Sequence, residues 1–160
     1  HAYSDDPHFD GVVALTHSGG CGTPHEGEGV AMLERTLGGF ARHPNFGGVL
    51  LVGLGCEVNQ IERLLARQGL ERGTRLRTLG IQDIGGAKNA IEEGVRNVGE
   101  LVDLVRADRR SEESAAHLTL ALQCGGSDAW SGVTANPALG AASDLLIAAG
   151  GASILGETPE

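Results

Sequence analysis

Residues 122–137, LQCGGSDAWSGVTANP, decide how this chain is read. They follow the apolar run 118–122 and precede an Ala- and Leu-rich segment with helical spacing, so they join a strand to a helix. A turn of that kind needs little more than Gly, Pro, Asn or Asp. This one also carries Cys124, Ser127, Asp128, Trp130, Ser131, Thr134 and Asn136, a polar load that points to chemistry.

Working outward, the same pattern recurs. The apolar run 11–16 (GVVALT) ends in HSGGCG, 48–54 (GVLLVGL) ends in GCE, 77–83 (RTLGIQD) ends in IGG, and 152–155 closes the series before GETPE. Short continuous apolar runs are the pattern of strands covered on both faces. Between them lie helical periods. Residues 30–43 space Val30, Leu33, Leu37, Phe40 and Ala41 along one face before Pro44. Asn59 reads as the cap of a helix carrying Ile61, Leu64 and Leu65, with Gly69 at its close. Residues 87–108 place Ile91, Val95, Val98, Leu101, Val102 and Val105 along one stripe. Asn136-Pro137 reads as a cap and first helical position for a helix to residue 149.

Strands alternating with helices predict an α/β fold with parallel pairing and right-handed crossovers. The expectation is a three-layer α/β sandwich with a mainly parallel sheet of about five strands. Residues 1–160 read as a single α/β domain, and without an initiator Met the chain reads as an excised fragment of something longer.

Composition narrows the function. The formal charge is −9, with a single lysine, Lys88, among twelve basic residues. Nucleic acid and anionic membrane surfaces both demand a basic footprint, so neither is expected as a partner. No run is long enough to span a membrane and no signal-peptide pattern opens the chain, which predicts a cytoplasmic protein. Glycine is abundant, 26 residues, and sits in pairs at the ends of the apolar runs where backbone approaches a ligand or a neighbouring chain. Three cysteines in separate Gly-rich contexts read as reduced thiols or metal ligands rather than a disulfide framework.

In a parallel sheet all strand carboxyl ends share one edge, and ligands bind there. That edge would gather Cys21, Cys56 and Cys124 with His17, Glu57, Gln82, Asp128 and Glu157. Each has a plainer reading. A cysteine alone is commonly a small buried hydrophobe. His17 can simply bond a loop carbonyl, Glu57 can cap the next helix, Asp128 can close an Asx-turn, and Asn136 can serve only as a helix cap. Three thiols at equivalent strand ends favour a shared site. The remaining histidines fall at element boundaries or in polar stretches and read as structural or solvated. Dinucleotide-fingerprint, P-loop and nucleophile-elbow spacings are absent.

Taken together, residues 16–22 (THSGGCG), 35–60 (RTLGGFARHPNFGGVLLVGLGCEVNQ), 78–86 (TLGIQDIGG), 122–140 (LQCGGSDAWSGVTANPALG) and 150–160 (GGASILGETPE) resemble the altronate/galactarate dehydratase family. The resemblance runs from about residue 11 to the end, and departs from the family's usual Gly at Ala129. It implies a hydro-lyase of carbohydrate metabolism that dehydrates a sugar acid to a 2-keto-3-deoxy acid. It also implies a divalent metal, usually iron, with an iron–sulfur cluster as an option. On the resemblance the sandwich would be Rossmann-like and this chain the middle domain, its amino- and carboxy-terminal neighbours lying elsewhere in the same protein, with homo-oligomerisation open.

On that implication the catalytic candidates are His17, Glu57 and Asp128, and the metal candidates are Cys21, Cys56 and Cys124. The substrate-binding candidates are Gln82, Gln123, Ser127 and Asn136. A sulfolactate sulfo-lyase-like subunit and a non-catalytic ligand-binding domain are the alternatives.

Overall fold

The computed structural model describes residues 10–156 apart from 124 and 127. In chain order it contains α1 (Glu28–Ala41), β1 (Val49–Gly53), α2 (Ile61–Gln68), β2 (Leu76–Gly80), α3 (Ala87–Arg106), β3 (Thr119–Leu122), α4 (Asn136–Ala148) and β4 (Ala152–Leu155). The chain divides into two compact units, residues 1–108 and 109–160.

In the first unit β1 and β2 pair in parallel, from Val49 opposite Leu76 to Gly53 opposite Gly80, with α2 as the crossover. Hydrogen bonds from Ile81 N to Gly53 O (2.9 Å) and Gln82 N to Leu54 O (3.1 Å) carry the ladder past the strand ends. The two strand-end loops are thereby set side by side. The buried apolar residues are Val30 of α1, Val58, Leu64 and Leu65 of α2, Leu70, Leu79 of β2, and Ala90, Leu101 and Val102 of α3. In α2 and α3 the burial is deepest at the adjacent pairs Leu64–Leu65 and Leu101–Val102, which lie on the inward face of each amphipathic helix. Gly69, with φ +60°, ends α2 in a left-handed cap.

One inward position of α1 is polar. Glu34 is only 2% exposed, and its carboxylate accepts from Arg63 Nε (2.8 Å) and Arg67 Nη1 (3.2 Å) of α2. A buried carboxylate is tolerated because both oxygens are paired with charged donors. At Gly38 an added Cβ would come within 2.7 Å of the Gln68 side chain, so a small residue there permits the approach of α1 to α2.

In the second unit β3 and β4 also pair in parallel, Thr119 opposite Ala152 through Leu122 opposite Leu155. The intervening helix begins at Ala129 and passes through a π-helical turn, Ser131–Ala135, before becoming α4. Pro137 supplies no N–H, and its ring crowds the carbonyl four residues back. A widened turn just ahead of it relieves both problems. Among the described residues of this unit only Ser143 is buried, its hydroxyl bonded to Ser153 (2.7 Å).

The expected five-stranded Rossmann-like sandwich is not what forms. Among the described residues four short strands make two two-stranded parallel sheets in a small mixed α/β chain. Residues 11–16 pair with no strand, and Val12 and Val13 are 56% and 66% exposed. An apolar run reports a demand for burial, whereas a strand also needs a neighbour for its N–H and C=O groups. No described strand offers this run one.

Two expected caps also fail. The cap position of α2 is Gln60, without a side-chain cap bond, and the Oδ1 of Asn59 is buried without a partner among the described residues. Asn136 has helical dihedrals, φ −66° and ψ −42°, because the helix is already under way when the chain reaches it.

Candidate functional site

The chemistry of the first unit gathers on the loop after β1. Glu57 folds back over that loop, Oε1 accepting from Leu54 N (2.9 Å) and Oε2 from Gly55 N (2.6 Å). Gln60 Nε2 donates to Gly55 O (3.0 Å) and to Glu57 O. The loop is therefore closed from both directions before α2 begins. Gly55 has φ +118°, and a Cβ there would lie 2.6 Å from Gln82 Oε1, so both conformation and space require glycine.

This arrangement presents Cys56 outward. Its Sγ lies 3.5 Å from Sγ of Cys21 and accepts from Gln82 Nε2 at 3.3 Å. Cys21 belongs to a tight turn in which Thr23 N donates to Gly20 O (3.1 Å) and Gly20 N to Thr23 Oγ1 (2.9 Å). Both thiols are exposed. The hydrogen bond with Cys56 and its charge raise the Cys21 thiol above its ordinary value of 9.0, with smaller contributions from partial desolvation and the Glu57 carboxylate.

Cys21, Cys56, Glu57 and Gln82 thus share one neighbourhood, the last three on loops after β1 and β2 and Cys21 on a turn that follows no strand. His17 is placed otherwise. It lines an open hollow of about 630 Å³ with Leu15, Thr16 and the Met32, Thr36 and Phe40 face of α1. Its imidazole makes no hydrogen bond among the described residues.

In the second unit Asp128 is turned onto its own backbone. Oδ1 accepts from Trp130 N (2.8 Å), Ser131 N (2.8 Å) and Ser131 Oγ (3.3 Å). Asp128 is therefore the cap that the sequence seemed to assign to Asn136. The backbone N–H groups of Ser131 and Trp130, then the Ser131 hydroxyl, hold its carboxyl below its ordinary value of 3.8. Gln123 and Asn136 are exposed, and neither side chain is hydrogen-bonded among the described residues. Cys124, Ser127 and Glu157 lie outside the described residues.

Among the described residues no group of three or more His, Cys, Asp and Glu side chains is arranged to hold a metal ion. No helix among them is long and apolar enough to cross a membrane. Sequence reasoning passed over Gly55 and Gln60, the two residues that shape the Cys56 loop. Their signal was local: glycine beside a cysteine at a strand end, and an amide side chain one residue before a helix.

The observations define a class first: α/β chain with parallel strand pairs whose thiol and carboxamide groups meet beyond the strand ends. The comparisons then fix the family. The second-domain profile of D-galactarate dehydratase/altronate hydrolase matches residues 1–106, and the C-terminal profile of D-galactarate/altronate dehydratase matches residues 115–160. The chain belongs to the D-galactarate dehydratase/altronate hydrolase family.

It is 39% identical to the altronate dehydratase of Bacillus subtilis over 95% of its own length and 30% of that protein. Identity to the altronate dehydratase of Escherichia coli is 38%, over 94% of this chain and 30% of the relative. The galactarate dehydratase (L-threo-forming) of E. coli is 38% identical over 79% of this chain and 25% of the relative. The chain thus spans less than a third of each relative's length. No solved structure matches.

Proposed function

We propose that this chain carries part of the active site of a sugar-acid dehydratase that converts an altronate- or galactarate-type acid to a 2-keto-3-deoxy acid. The observation that carries the reading is the Cys21–Cys56–Gln82 cluster beyond the β1 and β2 ends, in a chain 38–39% identical to altronate dehydratases.

Dehydration removes the proton beside the carboxylate and expels the neighbouring hydroxyl as water, and the resulting enol ketonises. His17 is the proposed proton carrier, acting from the open hollow that it lines beside α1, where a bound acid would lie within reach of an imidazole. Glu57 and Asp128 are fixed carboxylates, each suited by its backbone hydrogen bonds to holding its own loop in shape for substrate. Gln82, Gln123, Ser127 and Asn136 provide carboxamide and hydroxyl groups for the substrate's hydroxyls and carboxylate.

Two thiolates bound to one tetrahedral ion at roughly 2.3 Å stand roughly 3.8 Å apart. The 3.5 Å separation of Cys21 and Cys56 fits that requirement. These two would hold a thiophilic divalent metal such as iron. Such an ion supplies positive charge for the developing enediolate. An iron–sulfur cluster draws on the same donors.

The test is product analysis with the full-length protein. Supplied with altronate, galactarate and sulfolactate, it should release keto-deoxy acid from one or both sugar acids. Sulfite released from sulfolactate, with the sugar acids untouched, would overturn the reading. Replacing His17 by Asn should lower kcat on the order of 100-fold with little change in KM.

A further inference from the structure

We propose that Cys21 and Cys56 form an oxidation site in which a hydroperoxide converts the two thiols to an intramolecular disulfide. The two sulfurs come from loops 35 positions apart yet already stand 3.5 Å from one another. A disulfide needs about 2.05 Å, so closure requires a shift of roughly 1.5 Å. Both thiols are exposed, which admits a small oxidant.

The side that moves is identifiable. The Cys56 loop is fixed by Glu57 and Gln60 through four hydrogen bonds to Leu54, Gly55 and Glu57 backbone atoms. Cys21 sits in a short turn held by two hydrogen bonds between Gly20 and Thr23, half as many, and added Cβ atoms at Gly20 and Gly22 would meet nothing within 4 Å. Cys21 therefore closes onto Cys56.

The chemistry balances with hydrogen peroxide as the oxidant. One thiolate attacks a peroxide oxygen, an S–O bond forms, the O–O bond breaks, and hydroxide leaves to take up a proton. The second thiolate then attacks the oxidised sulfur, the S–S bond forms, the S–O bond breaks, and a second water departs. Two thiols and one peroxide yield one disulfide and two waters: each sulfur loses one electron and the peroxide gains two.

The product ties the Gly-rich loop before α1 to the loop after β1 and removes both thiols from metal or substrate chemistry. The bond rests on the sulfur separation alone, and only its consequence for turnover rests on the dehydratase reading.

The test uses the full-length protein, reduced, treated with chelator and exposed to hydrogen peroxide. Unreacted thiols are then blocked, and the protein is digested without reductant and mapped by mass spectrometry. The expected result is a peptide pair joined through Cys21 and Cys56, lighter than the two free peptides by two hydrogens and separated by dithiothreitol. The pair should be missing from Cys21→Ser, which retains Cys56 and its loop. Joining of either sulfur to Cys124 instead, or over-oxidation of Cys56 with no linked pair in the wild type, would overturn the proposal. A parallel turnover assay, on reduced and oxidised protein each resupplied with ferrous iron after the peroxide is removed, separates the two readings. Reversible loss of sugar-acid turnover on oxidation supports both. A linked pair with turnover unchanged leaves the disulfide standing and removes the thiols from the dehydratase site.

Discussion

At the scale of single residues, Gly55 shows how the site is made. Its φ of +118° is a region that side chains resist, and the space beside it belongs to Gln82. Gly55→Ala should cost about 1–2 kcal/mol of stability from backbone strain alone, visible as a lower urea midpoint at unchanged slope. An unaltered midpoint would mean that the loop adopts another conformation. Asp128 makes a pH prediction. Its carboxyl is depressed by the amides and hydroxyl it accepts from, so its contribution is complete above 3.8 and is lost as pH falls through the lower folded value. The chain has one tryptophan, Trp130, whose amide is one of those donors. Its fluorescence should therefore change only below pH 3.8, and Asp128→Ala should abolish that acid transition. A transition centred above that value would contradict the assignment.

At the scale of elements, the packing of α1 on α2 depends on a buried carboxylate. Removing one member of such a group leaves the arginines facing a neutral partner in a confined setting. Glu34→Gln should lower stability by on the order of 2 kcal/mol, less than for a fully buried pair because Arg63 and Arg67 are 21% and 41% exposed. An equilibrium denaturation shift near zero would show that the pairs contribute nothing net.

What the sequence revealed follows the same physics. Helical periods at Val30–Leu37 and Leu101–Val105, and apolar runs at 48–54, 77–83, 118–122 and 152–155, all marked elements that form. Parallel pairing followed from their alternation with helices. The run at 11–16 misled because apolarity cannot say which strand will offer hydrogen bonds. Asn136-Pro137 misled because Pro marks a helix start only when no helix already precedes it, and Asp128 had begun one eight residues earlier. Strand-end logic accounts for the meeting of the Cys56–Glu57 loop with Gln82 beyond β1 and β2, whereas Cys21 reaches Cys56 from a turn that follows no strand. That logic could not foresee that both Glu57 oxygens would be taken up by amides, since that depends on loop dihedrals.

At the scale of the whole molecule, the two units differ in what holds them. Every buried apolar residue named above lies between Val30 and Val102. In residues 109–160, Leu145, Ile147, Ile154 and Leu155 are all more than half exposed. Burial of apolar surface is the main source of folding free energy. Residues 1–108 expressed alone should therefore unfold cooperatively, whereas residues 109–160 alone should show little protection in amide exchange. Slow exchange throughout the isolated 109–160 segment would contradict this.

The central claim is that the thiol pair beyond β1 belongs to a sugar-acid dehydratase site. It is tested most directly by the rate of keto-deoxy acid formation from altronate in full-length Cys56→Ser, beside the parent protein. A fall on the order of 100-fold, with a folded protein and reduced metal content, is the predicted result. An unchanged rate and metal content would contradict it.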